Sequence, residues 1–154
     1  MDIMFKSTRG DKSLVTASQA IVKGIADDGG LYVPETIPSI DFPLEDITKY
    51  SYQELAYQVL KLVLTDYTEE ELRYCINSAY DEKFDTKLIA PVVSAGNDNF
   101  LELFHGRTIA FKDMALSILP YLLKTAAKKN GVNEEIVILT ATSGDTGKAA
   151  LEGF

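Results

Sequence analysis

The chain of 154 residues is 46% hydrophobic and 25% charged, which is the composition of a folded protein rather than a disordered one. Its formal net charge is −8, and no cluster of lysine and arginine residues interrupts the acidic sequence. This charge argues against nucleic-acid binding, which requires a basic surface, and against association with an anionic membrane.

Residues 1–82 predict a small α+β domain. Its two strands and first helix are marked by short apolar runs and by the turn signal "DDGG" at Asp27–Gly30. Two further helices each begin with an S/T-x-x-E capping box, in which the first residue and the glutamate satisfy each other's free backbone N–H groups. The predicted elements are strands at residues 3–8 and 31–33, a helix at 17–26, and helices that begin after Ser51 and Thr68.

Cys75 lies in the third of these helices and is the only cysteine of the chain. One thiol cannot form an internal disulfide or a cysteine-rich metal site, and we predict no metal. We expect Cys75 to be a small buried hydrophobic residue rather than a reactive thiol.

Residues 83–154 alternate strands, loops and helices, which is the pattern of a layered α/β domain. "PVVSAGNDNFLELF", residues 91–104, predicts a hairpin around the turn signal "GNDN". A long helix is predicted over Lys112–Lys129, with Pro120 expected to kink it or to mark a local irregularity. The pair Asn130-Gly131 is a typical helix end.

"EEIVILT", residues 134–140, is an apolar run typical of a buried parallel strand, and the start of another helix follows it. The sequence ends at Phe154, barely two turns into that helix. A sheet of only two or three strands is poorly closed. We therefore expect the sequence to be the N-terminal piece of a longer protein.

The first residues of the chain contain no apolar run of signal-peptide length. The longest apolar stretch, Met114–Leu123, is interrupted by Ser117 and Pro120 and is too short to cross a bilayer. We therefore expect a cytoplasmic protein without membrane association.

"TSGDTG", residues 142–147, lies between the predicted strand and the last helix, where free backbone N–H groups can bind an anion. Its glycines allow a ligand to approach closely, and Thr142, Ser143 and Thr146 add hydroxyl donors. The alternative is an ordinary turn in which Ser143 caps the helix. A nucleotide-binding P-loop is excluded, because Thr142 and Ala149 stand where that motif requires glycine and a serine or threonine.

Lys112 stands among apolar residues at the predicted start of the long helix. A lysine in this position can lay its stem along the core and keep its ammonium in water. Alternatively it occupies a water-poor pocket, where desolvation favours a neutral amine that can condense with a carbonyl. The spacing alone leaves both alternatives open.

Four motifs, in order along the chain, resemble those of threonine synthases. They are "STRG" at Ser7–Gly10, "GIADDGGLYVPETIP" at Gly24–Pro38, "LELFHGRTIAFKDMAL" at Leu101–Leu116 and "TATSGDTGKAA" at Thr140–Ala150. The third is similar to the lysine segment of that family, whose usual form is close to L-F-H-G-P-T-x-A-F-K-D. Four motifs spread over the whole chain are far more specific than a single glycine pattern.

The resemblance implies an α/β protein with a small N-terminal α+β domain at residues 1–82. Residues 83–154 would begin a three-layer αβα catalytic domain of the pyridoxal 5′-phosphate (PLP) fold type II, incomplete at residue 154. The family's loop for the cofactor phosphate falls after that point. We therefore expect this chain alone to bind PLP poorly and to be inactive.

The resemblance also implies the roles of individual residues. Lys112 would be buried, because its amine would meet an aldehyde rather than water, and it would hold PLP as a Schiff base. Phe111 would lie beside it, and Asp145 would face the cofactor's 3-hydroxyl. The implied reaction converts O-phospho-L-homoserine and water to L-threonine and phosphate. The residues that fall on the family's substrate loop are Thr142, Ser143, Gly144, Asp145, Thr146 and Gly147.

Arg107 departs from the family pattern, because proline usually stands there. The change removes a rigid turn, and the new charge either faces solvent or helps to attract a phosphate. His105 matches the pattern, and it either fixes the loop by hydrogen bonds or transfers a proton.

Three alternatives to a threonine synthase stay open. Another PLP-dependent eliminase of the same fold, such as a threonine dehydratase or cysteine synthase, is disfavoured because those relatives lack the two N-terminal motifs. A threonine-synthase-like protein would bind PLP or a phosphorylated ligand without making threonine. A stand-alone binding module that ends at residue 154 predicts a cooperative fold for this chain alone. The oligomeric state is not predicted by any of these patterns.

Overall fold

A computed structural model describes residues 2–154, which form four short strands, six α-helices and one 3₁₀ helix at Leu44–Lys49. The strands are β1 (Phe5–Ser7), β2 (Tyr32–Pro34), β3 (Val92–Ala95) and β4 (Asp98–Leu101). The helices are α1 (Ala17–Lys23), α2 (Tyr52–Leu60), α3 (Glu69–Ala79), α4 (Asp113–Leu116), α5 (Leu119–Lys129) and α6 (Asp145–Gly153). None of the helices in this described part of the chain has the length and apolar character needed to cross a bilayer.

The predicted elements of residues 1–82 are confirmed. Strands β1 and β2 pair antiparallel. Thr68 and Glu71 form the complete capping box at the start of α3. Ser51 accepts the Glu54 backbone N–H at 3.1 Å, but the second half of this box is missing. The Glu54 carboxylate binds Arg73 of α3 at 2.9 Å instead, so a contact between helices replaces the local one.

The core lies between α3 and α5 and continues to α1 and β1. Along α3 the buried residues are Leu72, Cys75, Ile76 and Ala79, the three-and-four spacing of one helix face. Cys75 is fully buried, as predicted, and burial raises the pKa of its thiol. The core joins elements from both sides of residue 82, and the domain division at that residue stays a prediction.

The predicted hairpin is confirmed as β3 and β4, which pair antiparallel with Val92 opposite Leu101 and Ala95 opposite Asp98. Two residues, Gly96 and Asn97, connect the strands, and Gly96 has a φ of 65°, which glycine adopts without strain. All residues of both strands are exposed.

The single long helix predicted over Lys112–Lys129 is wrong, because the chain forms two helices, α4 and α5, separated at Ser117 and Ile118. Pro120 causes this separation, and the irregularity that was predicted at Pro120 is confirmed. It has no N–H to donate to the carbonyl of Leu116, four residues earlier. Helix α6 packs against that carbonyl through Gly153, where a Cβ would overlap the Leu116 oxygen.

The strand predicted at residues 134–140 is also wrong, since this segment has no regular secondary structure. A strand needs a neighbour to satisfy its backbone, and none of the strands formed within residues 2–154 pairs with it. Its apolar side chains are exposed, and Leu139 is the extreme case at 93%. The parallel sheet that this segment predicts is therefore not formed by the described residues.

We predict that Gly153→Ala destabilises the protein by about 1–3 kcal/mol, because the added methyl group overlaps the Leu116 carbonyl. Alanine in place of glycine otherwise stabilises a helix by about 1 kcal/mol. The sign of the change in the free energy of unfolding therefore shows whether the overlap with the Leu116 carbonyl outweighs this gain. Urea denaturation followed by circular dichroism measures it. Leu151→Ala, at a position that is 87% exposed on the same helix, is the control and should be nearly neutral. A more stable Gly153→Ala variant would contradict the close α4–α6 contact.

Candidate active site

The loop that precedes Lys112 is closed by the carboxylate of Asp113, which is 4% exposed. The backbone N–H of Thr108 donates to Oδ2 at 2.8 Å, and the Thr108 hydroxyl donates to Oδ1 at 2.6 Å. A buried charge without partners is very unfavourable, and here one residue supplies a donor to each oxygen. Gly106 lies so close that a Cβ there would overlap the carboxylate. The loop therefore needs glycine at 106 as well as the Thr108–Asp113 pair.

The backbone of this loop turns sharply at Ile109, whose φ of 64° lies in the left-handed region. This conformation is unusual for a β-branched residue and costs on the order of 1–3 kcal/mol. The turn is held by hydrogen bonds from the N–H of Ile109 to the carbonyl of Gly106 and from the N–H of Asp113 to that of Ala110. It leaves the side chains of Ile109 and Phe111 71% and 58% exposed.

Lys112 is half-buried and immediately precedes α4. Its Nζ lies 4.6 Å from the centre of the Phe111 ring, a cation–π contact. Within residues 2–154 no carboxylate lies within ion-pair distance of this ammonium. The described residues do not form a water-poor apolar pocket around Lys112, because the turn directs the side chains of Ile109 and Phe111 outward. The half-buried lysine therefore has no carboxylate partner among these residues.

The second predicted segment, residues 142–147, is organised by the hydroxyl of Thr142. It accepts the backbone N–H of Gly144 at 3.2 Å and that of Gly147 at 3.0 Å. A Cβ on Gly147 would lie 2.9 Å from this oxygen, so glycine makes room for the contact. The alternative in which Ser143 caps the helix is wrong, because Thr142 supplies the oxygen instead.

Helix α6 begins at Asp145, directly after Gly144, whose φ is 142°. The side chains of Ser143 and Asp145 are exposed, and Thr146 is half-buried. Among the described residues, the backbone N–H groups of Asp145 and Thr146 have no hydrogen-bond acceptor. They form the positive end of the helix and are available to an anion.

The two segments lie on elements that pack together, since α6 lies against α4. The Lys148 ammonium donates to the carbonyl of Thr108 at 3.2 Å. Arg107 and Glu152 form an ion pair at 2.7 Å, which joins the lysine loop to α6 across an exposed surface. Such exposed pairs contribute little to stability. Because Glu152 neutralises Arg107, the pair weakens the alternative in which this arginine attracts a phosphate.

Tyr80 also holds α4, because its hydroxyl donates to the carbonyl of Met114 at 2.7 Å. Burial raises the pKa of this phenol, so the hydroxyl stays protonated and remains a donor. Sequence reasoning missed the roles of Tyr80, Thr108 and Lys148. Thr108 and Asp113 are five residues apart inside one motif and could have been proposed as a pair. Tyr80 carries no local signal, because its partner is 34 residues away.

A cleft of about 610 Å³ lies between the N-terminal elements and helices α5 and α6. Its lining is mostly apolar and includes Thr140 and Thr146, but not Lys112. It is therefore not centred on the lysine. No group of three or more His, Cys, Asp or Glu side chains in the described part of the chain is arranged to hold a metal ion.

Residues 4–80 match the family model of the threonine synthase N terminus. The chain belongs to this family. It is 41% identical over 152 residues to the threonine synthase of Pseudomonas aeruginosa, an alignment that covers 96% of this chain and 31% of that relative. The resemblance predicted from the four motifs is confirmed.

The fold is similar to that of two solved threonine synthases. The PLP-bound enzyme from Brucella melitensis has a TM-score of 0.87 and 36% identity, covering 99% of this chain and 33% of that one. The yeast enzyme has a TM-score of 0.88 and 33% identity, with the same shares covered. These likenesses confirm the predicted fold class. The chain spans about a third of the length of the family members that it matches.

His105 joins two segments of this threonine-synthase-like chain. Its Nδ1 lies 2.5 Å from Asp85 and its Nε2 lies 2.8 Å from Glu102. The hydrogen bonds to Glu102 and Asp85 raise the pKa of the imidazole. With both ring nitrogens occupied, the contacts favour the alternative in which His105 fixes the loop.

We predict that His105→Gln destabilises the protein more at about pH 5.5 than at about pH 9. The raised pKa means that protonated His105 stabilises the fold fully below its ordinary pKa of about 6.5. This contribution is lost as the pH rises through the higher folded-state pKa, since a neutral ring cannot donate from both nitrogens. Urea unfolding of both proteins across this range tests it. A difference that does not change with pH would show that the ion pairs are unimportant.

We predict that Thr142→Val destabilises the start of α6 by about 1 kcal/mol, because two backbone N–H groups lose their acceptor. Hydrogen exchange at the Gly147 amide should become faster by roughly fivefold, the equivalent of that free energy. Thr142→Ser keeps the hydroxyl and should exchange like the unchanged protein. Equal exchange rates in all three proteins would exclude Thr142 as the cap.

Proposed function

We propose that this chain forms the part of a PLP-dependent threonine synthase that carries the cofactor lysine and the substrate loop. The proposed reaction converts O-phospho-L-homoserine and water to L-threonine and phosphate. The observation that carries the proposal is the unpaired Lys112 amine on a tightly closed loop, in a chain that belongs to the threonine synthase N-terminus family.

The residues present fit PLP. Condensation with an aldehyde needs a primary amine that is free of a carboxylate partner, and half-buried Lys112 meets this condition. Lys112 would hold the cofactor covalently, with Phe111 beside it. The exposed carboxylate of Asp145, on the helix that packs against α4, would face the cofactor's 3-hydroxyl. When bound, PLP supplies an electron sink for negative charge that develops on the substrate.

In the proposed reaction the Lys112 amine moves protons on the substrate. It takes the protons from the α-carbon and the β-carbon, and afterwards it returns one proton to the γ-carbon and one to the α-carbon. Phosphate leaves from the γ-carbon and water adds at the β-carbon. The atoms of substrate and water are thus recovered in threonine and phosphate.

The loop at residues 142–147 would bind the anionic groups of the substrate. Its free donors are the backbone N–H groups of Asp145 and Thr146 at the positive end of α6. Exposed Ser143 and half-buried Thr146 add hydroxyl groups. Thr142, Gly144 and Gly147 give the loop its shape through the hydrogen bonds to the Thr142 hydroxyl.

We predict that excess PLP followed by borohydride reduction labels Lys112, as mass spectrometry of its peptide would detect. Lys112→Ala should lose this adduct, together with an absorbance band near the visible edge that O-phospho-L-homoserine shifts. Lys124→Ala, which removes an exposed lysine on α5, is the control and should keep both. Labelling confined to exposed lysines such as Lys124 would contradict the assignment of Lys112.

Activity can be tested in a chimera in which this chain replaces the matching third of the Pseudomonas aeruginosa threonine synthase. The chimera should form threonine from O-phospho-L-homoserine, and its Lys112→Ala variant should not. A folded chimera that takes up PLP but makes no threonine would contradict the proposed reaction, while the proposed cofactor site would still stand.

A further inference from the structure

We infer that Thr108 and Asp113 are positioning residues that hold the Lys112 amine in place and keep the neighbouring carboxylate away from it. The inference rests on the proposed function of Lys112 and adds two residues that act through the lysine. Neither is assigned to contact cofactor or substrate. Four features of the loop support it.

The first feature is that two hydrogen bonds hold the buried Asp113 side chain. Its two oxygens accept hydrogen bonds from two different groups of Thr108, at 2.8 Å and 2.6 Å. The absence of a side chain at Gly106 lets the loop close over the carboxylate. With both oxygens fixed and the residue buried, the carboxylate has one orientation.

The second feature is the place of Asp113 in the chain. It is the first residue of α4, and Lys112 directly before it already has helical backbone angles, with φ −59° and ψ −25°. Successive residues of a helix differ by about 100° around its axis. Fixing the inward direction of Asp113 therefore fixes the direction in which Lys112 leaves the backbone.

The third feature is electrostatic. A carboxylate at ion-pair distance from an ammonium stabilises the charged form, which cannot attack a carbonyl. The carboxylate nearest to Lys112 in sequence is that of Asp113, and Thr108 occupies both of its oxygens. The pair thus buries a charge that would otherwise be available to the lysine.

The fourth feature is a link to the substrate loop. The Lys148 ammonium of α6 donates to the carbonyl of Thr108 at 3.2 Å. Thr108 therefore contacts both Asp113 in the lysine segment and the helix that begins with Asp145. One residue aligns the two segments that the proposed function requires to face one cofactor.

The test measures how fast an amine-reactive reagent labels Lys112 relative to exposed Lys124 in the same molecule, by peptide mass spectrometry at low conversion. Thr108→Val keeps the shape of the side chain and removes its hydroxyl. Asp113→Glu keeps the charge but is too long for the space beside Gly106. Both should lower the Lys112-to-Lys124 ratio about tenfold, because a carboxylate that the Thr108 hydroxyl no longer holds can turn toward the lysine and favour its ammonium form. If one variant does not fold, the other carries the test.

Thr108→Ser keeps the hydroxyl and should restore the ratio to within about twofold of the unchanged protein. Asn130→Ala is the control for general destabilisation, since it removes hydrogen bonds to Ser18 and Ala126 outside the lysine loop. It should leave the ratio unchanged. An unchanged ratio in folded Thr108→Val or Asp113→Glu, or an equal loss in Thr108→Ser or Asn130→Ala, would overturn the inference.

The same samples separate this inference from the proposed function, because the reagent does not require PLP. If PLP fails to label Lys112 while the ratio responds as expected, only the proposed function fails. If PLP labels Lys112 and the ratio does not respond, only the positioning role of Thr108 and Asp113 fails.

Discussion

Burial of the Asp113 carboxylate is the constraint on which the candidate site depends. A buried charge requires hydrogen-bond donors, and the chain supplies them from Thr108, five residues earlier. Closing so short a loop requires the absence of a side chain at Gly106 and a left-handed backbone at Ile109. The same closure places apolar side chains in solvent and leaves Lys112 without a carboxylate partner. The local strain and the free amine therefore have one common cause.

Helix α4 has only four residues, and an isolated helix of that length is unstable in water. Contacts from other parts of the chain hold it. Tyr80 binds its Met114 carbonyl, and Gly153 of α6 packs against its Leu116 carbonyl. Because Pro120 separates α4 from the longer helix α5, these contacts determine the position of α4. The lysine thus lies at the end of a short segment that distant parts of the chain fix.

Much of the fold could be predicted because its signals are local. The capping box at Thr68, the apolar spacing along α3 and the turn at Gly96 each act within a few residues. The irregularity at Pro120 was equally predictable, because the missing N–H is a property of that residue alone. The motifs around Lys112 and residues 142–147 likewise indicated the family, since each is contiguous in sequence.

By itself, therefore, the sequence determined the family, the helices of residues 1–82 with the cap at Thr68, the hairpin and the residues of the two candidate segments. Only the tertiary structure decided how they are used. Residues 134–140 have the composition of a strand, but a strand forms only beside another one, and none in residues 2–154 pairs with it. Lys112 was predicted to be buried, but it is half-buried. Its surroundings depend on the hydrogen bonds of Asp113 and on Tyr80, which is distant in sequence. Local patterns report backbone preference, whereas burial and partner choice depend on the whole chain.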